Sequence, residues 1–320
     1  MSSKAEMSSG LVGGVYQGYK TGFGFSKMES GFKKGFLNGI RKHDKVQDPT
    51  TMSGSLGSVG GAAKIFWVAD TFPEPLPGSG VAAGAFPNLV GSATLNVLGN
   101  PIRRKGVGQK WNIEFDNVSD LISSSSLTGT RELTVFLVFR PCSTVATDTA
   151  IFSRLSNASN TMGDITMYIT GSNKIAVRMN SAASTSLNFV RYETPVLRDY
   201  SLINAVKTGL AENEFILLTV KFNMNRGVAI PQRDIEIYIN GTKSPLTEIN
   251  DTWNLEYNPP TSNGADMANN ACHFGNGAGG SNPSSSGTHM ASGLVFDYWL
   301  SNAEQLRIEN FYRYYYGLRF

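Results

Sequence analysis

The segment RDIEIYINGTK, residues 233–243, decides the fold class. Ile235, Ile237 and Ile239 alternate with polar side chains, and this period of two predicts a strand with one face buried. The Asn240-Gly241 pair that follows is a strong signal for a tight hairpin turn. The segment therefore predicts an antiparallel strand followed directly by a reversal of the chain.

Short apolar or alternating runs of the same kind recur from residue 64 onward, separated by polar and glycine-rich turns. Many short strands with such turns are typical of a sandwich or a barrel. We predict an all-β body, a two-sheet antiparallel jelly roll. The predicted strands are Lys64–Val68, Trp111–Phe115, Leu133–Arg140, Ala150–Leu155, Asp164–Thr170, Lys174–Met179, Ser186–Tyr192, Phe215–Phe222, Asp234–Ile239, Ala271–Phe274 and Gly293–Trp299.

One short helix is predicted at the C-terminus of this body. Ser301 and Glu304 form an S-x-x-E capping box, which marks a helix start. The helix is expected to cover Gln305–Tyr316, with Gly317 as its C-terminal stop.

Residues 1–48 differ from the body in charge and composition. They hold eight Lys/Arg and four Asp/Glu, a net +4, whereas the whole chain is +3, so the remainder sums to −1. Basic segments of this kind contact nucleic acid, anionic lipid or acidic protein surfaces, or remain as solvated tails. We predict an anchoring arm that contacts a membrane or an acidic protein surface, without sequence-specific nucleic-acid binding, joined to the body by a flexible linker over residues 49–64.

The arm carries glycines at positions 10, 14, 18 and 22 and again at 31, 35 and 39. On a helix, this spacing forms a stripe that lets a partner approach closely, although each glycine costs about 1 kcal/mol of helix stability. The alternatives are a helix that forms on binding and a coil whose aromatic side chains dock individually. The predicted anchoring residues are Tyr16, Tyr19, Phe23, Phe25, Phe32, Lys33, Lys34 and Phe36.

No secretory signal and no apolar run of membrane-spanning length are visible in the sequence. Two cysteines, Cys142 and Cys272, are too few for a disulfide framework. We expect two buried thiols, and a single bridge between neighbouring strands is the alternative.

Several motifs follow one another in a specific order. LTVFLVFRP is followed by DITMYITGSNKIAVRMN, FILLTVKFN, DIEIYINGTK and HFGNG, and the chain closes with GLVFDYWLSNAEQLRIENFYRYYYG. This order resembles that of the concanavalin A-like lectin/glucanase superfamily in its laminin-G-like form. The resemblance spans residues 65–320. It implies two curved antiparallel sheets that bind sugars or proteins, or that serve as structural domains of secreted or viral proteins, tailed-phage proteins among them.

Catalytic motifs are weak. Glycosidases of this superfamily carry an E-x-D-x-x-E pattern on one strand, and two carboxylates perform their chemistry. Asp234 and Glu236 match it in part, but position 239 is Ile. No zinc, phosphate-loop or serine-nucleophile motif is present. We therefore predict no enzyme, no metal and no cofactor; oxygen-rich loops, such as that near Asn250-Asp251, could chelate calcium, but no dedicated motif supports this.

Three regions are candidate contact sites. The glycine- and serine-rich loop after the predicted strand Ala271–Phe274 is a candidate ligand-binding rim with Asn276, Asn282 and His289. Arg103-Arg104-Lys105 is a basic cluster predicted in a turn, either solvated or in contact with a phosphate or an acidic partner. The aromatic C-terminus is predicted to pack partly on the sandwich and partly on a neighbouring subunit, through Phe311, Tyr312, Tyr315 and Phe320.

Together these features predict a virion structural protein, such as a capsid decoration, fibre or tail-associated protein, assembled in the host cytoplasm. Its predicted partners are other virion proteins, copies of itself and a host-surface glycan. The alternative functions are a carbohydrate-binding lectin outside a virion and, less favoured, a glycan-active enzyme.

Overall fold

A computed structural model describes fifteen stretches of the chain, which contain sixteen strands and one α-helix. The described residues are 63–72, 87–99, 101–105, 110–115, 121–128, 130, 132–140, 148–155, 165–172, 174–180, 189–197, 215–223, 234–251, 270–275 and 288–318. The predicted arm and residues 49–62 of the predicted linker lie outside them. Ala63 and Lys64 belong to the first strand, so the linker prediction ran two residues too far.

The strands follow the chain in this order: β1 Ala63–Val68, β2 Leu95–Leu98, β3 Ile102–Lys105, β4 Trp111–Phe115, β5 Leu121–Ser124, β6 Glu132–Arg140, β7 Thr149–Leu155, β8 Ile165–Ile169, β9 Lys174–Asn180, β10 Phe189–Val196, β11 Ile216–Asn223, β12 Asp234–Ile239, β13 Thr242–Lys243, β14 Thr247–Asp251, β15 Ala271–Gly275 and β16 Thr288–Phe296. A 3₁₀ turn covers Ala69–Thr71, and helix α1 covers Asn302–Tyr316.

The strands form two antiparallel sheets of eight strands each. Sheet A runs β13-β12-β11-β6-β16-β4-β3, with β1 added beside β16, and sheet B runs β14-β10-β9-β8-β7-β15-β5-β2. Strands that are distant in sequence are neighbours in both sheets; for example, β6 lies between β11 and β16. The all-β, two-sheet prediction is therefore confirmed.

The core lies between the two sheets, and alternation along each strand supplies it. Ile237 and Ile239 of β12 are fully buried there and Ile235 packs against them, as their alternation predicts. Cys272 of β15 is buried in the same cluster; Cys142 lies outside the described residues. Residues of opposite parity face away from the core, and this parity defines an outer face on each sheet.

Helix α1 covers the outer face of sheet A. Its capping box is present as predicted, with Ser301 accepting from the Glu304 amide, and Gly317 ends it with a left-handed φ of 65°. The Tyr312 ring packs on Phe136 of β6 with centroids 6.2 Å apart, and the Tyr316 hydroxyl donates to the Ala291 carbonyl at 2.8 Å. The aromatic residues therefore give this short helix its attachment to the sheet.

Several short strands were missed by pattern reasoning: β2, β3, β5, β13 and β14. The turn predicted at Arg103-Arg104-Lys105 is wrong, because these residues lie in strand β3, which pairs with β4. Cross-strand contacts explain how charged residues are accommodated there: Arg104 pairs with Glu114 at 2.7 Å, and the Arg103 guanidinium lies 4.3 Å from the centre of the Trp111 ring.

Candidate ligand-binding face

The outer face of sheet B is the candidate site, and alternation within its strands builds it. In β8, Ile165, Met167 and Ile169 enter the core, so Thr166 and Tyr168 face outward. In β9, Ile175 and Val177 enter the core, and Arg178 faces outward. Among the described residues, α1 packs on sheet A rather than on this face.

The strand register aligns one row of polar residues across seven neighbouring strands of sheet B. Direct pairing joins Thr166 to Arg178 and to Ser153, and Ser153 to His273. With neighbouring strands about 4.8 Å apart, the row is about 29 Å long. In sheet order the row is Arg191, Arg178, Thr166, Ser153, His273, Ser123 and Asn96.

One end of the row is charged. Arg191 bonds Asp148 at 2.7 Å and Glu193 at 2.8 Å, and Lys174 bonds Glu193 at 3.2 Å. Burial lowers the pKa of Arg191, but its bonds to Asp148 and Glu193 outweigh burial and raise that pKa overall. These carboxylates hold the Arg191 guanidinium in place and neutralise it.

Arg178 lies directly opposite Arg191 on the neighbouring strand. Burial lowers the pKa of Arg178, the hydrogen bond with Tyr168 opposes that effect, and the positive charge of Arg191 adds to it. Two arginines facing each other across a strand pair repel unless negative or polar groups meet them. Asp148, Glu193 and Tyr168 are the groups that meet this pair.

The middle of the row contains polar atoms with unmet hydrogen-bonding capacity. The Ser153 Oγ and His273 Nδ1 atoms are buried and have no hydrogen-bond partner among the described residues. Burial lowers the pKa of His273, so its ring is neutral at pH 7 and offers one donor and one acceptor. Such unsatisfied buried groups are rare in folded proteins.

His289, predicted in a rim loop, lies instead in β16 of sheet A, paired with Glu114 and Arg140. Its Nδ1 contacts the Asn112 Oδ1 at 2.8 Å. Burial, and then the charge of Arg140, lower the pKa of His289 to about 4, so its 3.7 Å contact with Glu114 is not an ion pair at neutral pH. The sequence before it is rich in serine and glycine and therefore predicted a loop, whereas β16 begins at Thr288. Asn276 and Asn282 lie outside the described residues.

The predicted intersubunit aromatics are largely occupied within their own chain. Phe311 and Tyr312 are buried against sheet A, so assigning them to an intersubunit surface is wrong for this chain's fold. Tyr315 is half-buried: its hydroxyl donates to Asp70 at 2.8 Å, and Lys110 lies 4.2 Å from its ring centre. Phe320 lies outside the described residues. The exposed side chains of the helix include Leu306 and Tyr314, 57% and 43% exposed.

The partial glycosidase pattern on β12 lies on the outer face of sheet A, away from the polar row. The Glu236 carboxylate accepts bonds from Tyr238 at 2.9 Å and from Lys243, and it pairs with Lys221 at 3.0 Å. Burial raises the pKa of Glu236, but these three donors outweigh burial and lower it. Within the described stretches, no group of three or more His, Cys, Asp and Glu residues is placed to hold a metal ion.

Sequence reasoning did not find the polar row. It placed a strand on each of β7, β8, β9 and β15, and the alternation of Thr166 and Tyr168 with apolar residues was a usable signal. The missing information was the register between β15 and β7, residues far apart in the chain, which brings His273 opposite Ser153.

Comparison with known proteins shows fold-level likeness only. No protein-family profile and no curated protein sequence matches the chain. A sialidase of Trypanosoma rangeli is similar over 78% of this chain and 32% of its own, with 8% identity and a TM-score of 0.48. The receptor-binding domain of botulinum neurotoxin D is similar over 68% of this chain and 48% of its own, with 11% identity and a TM-score of 0.44.

The chain thus spans less than half the length of these solved structures. At such identities and TM-scores, the likeness carries no argument about function, and membership of the concanavalin A-like superfamily stays a prediction. In the described part of the chain, no helix combines the length and the apolar character needed to cross a membrane.

Proposed function

We propose that this protein is a binding module that holds a glycan on the outer face of sheet B. The observation that carries the proposal is the row of polar residues in direct register across the sheet. Sugars present closely spaced hydroxyl groups that bond to side chains of this kind. Ser153 and Thr166 are buried. The partly exposed Arg191, Arg178 and His273 are therefore the members of the row that would contact a sugar. The Tyr168 ring, on the same face, adds an aromatic surface on which a sugar ring can stack.

A glycan array probed with the full chain tests this function. We expect selective binding that free glycan competes away. Arg178→Ala should weaken it about tenfold or more, since hydrogen bonds to a charged group contribute roughly 1.5–3 kcal/mol. Arg104→Ala, on sheet A, is the matched control and should bind as the unaltered chain does. Absence of binding to any glycan, or equal binding by the Arg178 variant, would contradict the proposal.

We propose a binding role without catalysis. The observation that supports it is the engagement of Glu236 by Lys221, Lys243 and Tyr238, which leaves this carboxylate neutralised by neighbouring cations. A glycosidase needs a second carboxylate at a fixed separation from the first. Turnover of a polysaccharide that is lost in Glu236→Gln would overturn this part of the proposal.

We propose that the protein is a structural component of a virus particle and that residues 1–48 anchor it in the particle. The support is the basic, glycine- and aromatic-rich composition of these residues beside a nearly neutral body. Partners would then be other virion proteins, further copies of the chain and, through sheet B, a host-surface glycan. Deleting residues 1–48 should abolish incorporation into particles while the unfolding midpoint of the remainder stays within a few degrees. Normal incorporation of the truncated chain would contradict the anchor.

A further inference from the structure

Lys221 is a lysine with no exposed surface. It belongs to β11, on the outer face of sheet A, and its side chain is 0% exposed. Placing an ammonium group out of contact with water is strongly unfavourable unless other groups replace the lost hydration. The groups around the Lys221 Nζ atom must therefore replace its hydration.

Three oxygen atoms surround the Lys221 Nζ. The Glu236 Oε2 is 3.0 Å away, the Asn302 Oδ1 3.1 Å and the Leu300 carbonyl oxygen 3.3 Å. The rings of Trp299 and Tyr238 flank the group, with centres 5.0 and 5.3 Å from Nζ. An amine, a carboxylate and a side-chain amide thus meet at one point beside two aromatic rings.

The three oxygen atoms match the three donors of the Lys221 ammonium group, and one of them belongs to a side-chain carboxamide. Asn302, the first residue of α1, is itself exposed to solvent. Its Cγ atom is bonded to the oxygen that touches Nζ and lies about 1.2 Å from that oxygen. A small rotation of the Asn302 side chain would bring that carbon to the 3–3.5 Å from which attack occurs.

We propose that Lys221 and Asn302 form an intramolecular isopeptide bond, with the Glu236 carboxylate as the proton acceptor. One proton moves from the Lys221 ammonium to Glu236, and the Nζ electron pair then forms a bond to the Asn302 Cγ. As the Cγ–Nδ2 bond breaks, a second Nζ proton passes to Nδ2, which leaves as ammonia. The proton held by Glu236 departs with it as ammonium, and no oxidant or further reactant is needed.

The surroundings favour each step. Exchange of one amide for another is slow in water, and a fixed geometry in a desolvated site is the physical means of accelerating it. The Glu236 Oε2 atom lies 3.0 Å from Nζ, and bonds from Tyr238 and Lys243 hold the carboxylate in that position. Asn302 lies at the surface, so ammonia leaves directly into solvent.

The bond would join β11 to the first turn of α1, positions 81 residues apart. It would fasten the helix to sheet A beside the aromatic contacts of Phe311 and Tyr312. A cross-link of this kind is independent of redox conditions, unlike a disulfide.

Mass spectrometry of the full chain tests the inference. The denatured protein should be lighter than its sequence mass by one ammonia, about 17 Da. Digestion should yield a branched peptide that joins Lys221 to Asn302, with no tryptic cleavage after Lys221. This peptide separates the isopeptide from succinimide at Asn-Gly sites, which also loses ammonia.

Asn302→Ser, at an exposed position, should restore the missing mass without unfolding the protein, and Lys221→Arg and Glu236→Gln should also abolish the branched peptide. Ala303→Ser, at the adjacent exposed helix position, should keep it. A chain at its full sequence mass, a digest without the branched peptide, or a branched peptide that persists in Asn302→Ser would overturn the inference.

Discussion

The Trp67 indole occupies the space that a side chain at Gly293 would need. The two residues are direct partners across β1 and β16, and a β-carbon at Gly293 would lie 2.6 Å from the Trp67 Nε1 and 2.6 Å from the Phe274 ring. Trp67 and Phe274 are themselves in edge-to-face contact, with centroids 5.6 Å apart. The absence of a side chain at position 293 lets the two large rings from opposite sheets meet.

Gly293→Ala should therefore lower the free energy of unfolding by about 1–3 kcal/mol, the usual effect of overpacking a dense core. Urea denaturation measures it. Gly317→Ala is the matched control: it has open space around it, so only its left-handed φ of 65° costs energy, about 1–2 kcal/mol. A Gly293 variant as stable as the unaltered chain would contradict the packing described for Trp67.

Because His289 is buried as a neutral ring, the free energy of unfolding should depend on pH. Its folded-state pKa of about 4 lies below the unfolded value of 6.5, so its contribution is complete above pH 6.5 and is lost as pH falls toward 4. The free energy of unfolding should therefore fall across this window more steeply for the unaltered chain than for His289→Gln. Parallel profiles of the two proteins between pH 7 and pH 4 would show that His289 is not buried as a neutral ring.

Glu309 should have the opposite effect on the pH dependence of stability. Glu309 lies on the side of α1 that contacts Thr219 of sheet A; burial there raises its pKa, and hydrogen bonds from Gln305 and Thr219 only partly oppose this. A raised carboxyl pKa stabilises the fold below the unfolded value, and that stabilisation is lost as pH rises through the folded value. Glu309→Gln should thus be more stable than the unaltered chain at pH 7, with a difference that shrinks at pH 4. Thermal unfolding at both pH values measures it, and a less stable variant at pH 7 would contradict the assignment.

Tyr312 should matter for folding rather than for assembly. Its ring is fully buried against Phe136, and its hydroxyl lies 3.1 Å from the Ser292 Oγ. Tyr312→Ala should cost about 3–5 kcal/mol, as large-to-small core changes do. Tyr314→Ala, on the exposed side of the same helix, should stay within about 0.5 kcal/mol. Equal stability losses in urea denaturation would contradict the orientation of α1.

The sequence predicted the fold class because alternation is a local property. The isoleucines of β12 and the capping box at Ser301 each need only a few neighbouring residues to be recognised, and both are present as predicted. Short strands such as β3 were missed because Arg103 and Arg104 depend on partners in β4 for their strand conformation. His289 was misplaced because its partner Asn112 lies 177 residues away.

The candidate site was harder to predict from the sequence than the fold class, since it consists of residue pairs on neighbouring strands. Ser153 and His273 are each unremarkable within their own strands, and only the register of β7 with β15 places them side by side. The same holds for the Lys221 cluster, whose members come from β11, β12 and the residues around the start of α1. No local pattern relates them.

Hydrogen–deuterium exchange of the full chain, with and without the glycan that binds it best, tests the central claim most directly. Ligand on the outer face of sheet B should slow exchange in β8 and β9, residues Ile165–Ile169 and Lys174–Asn180, and leave α1 unchanged. Protection confined to sheet A or to α1 would contradict the account.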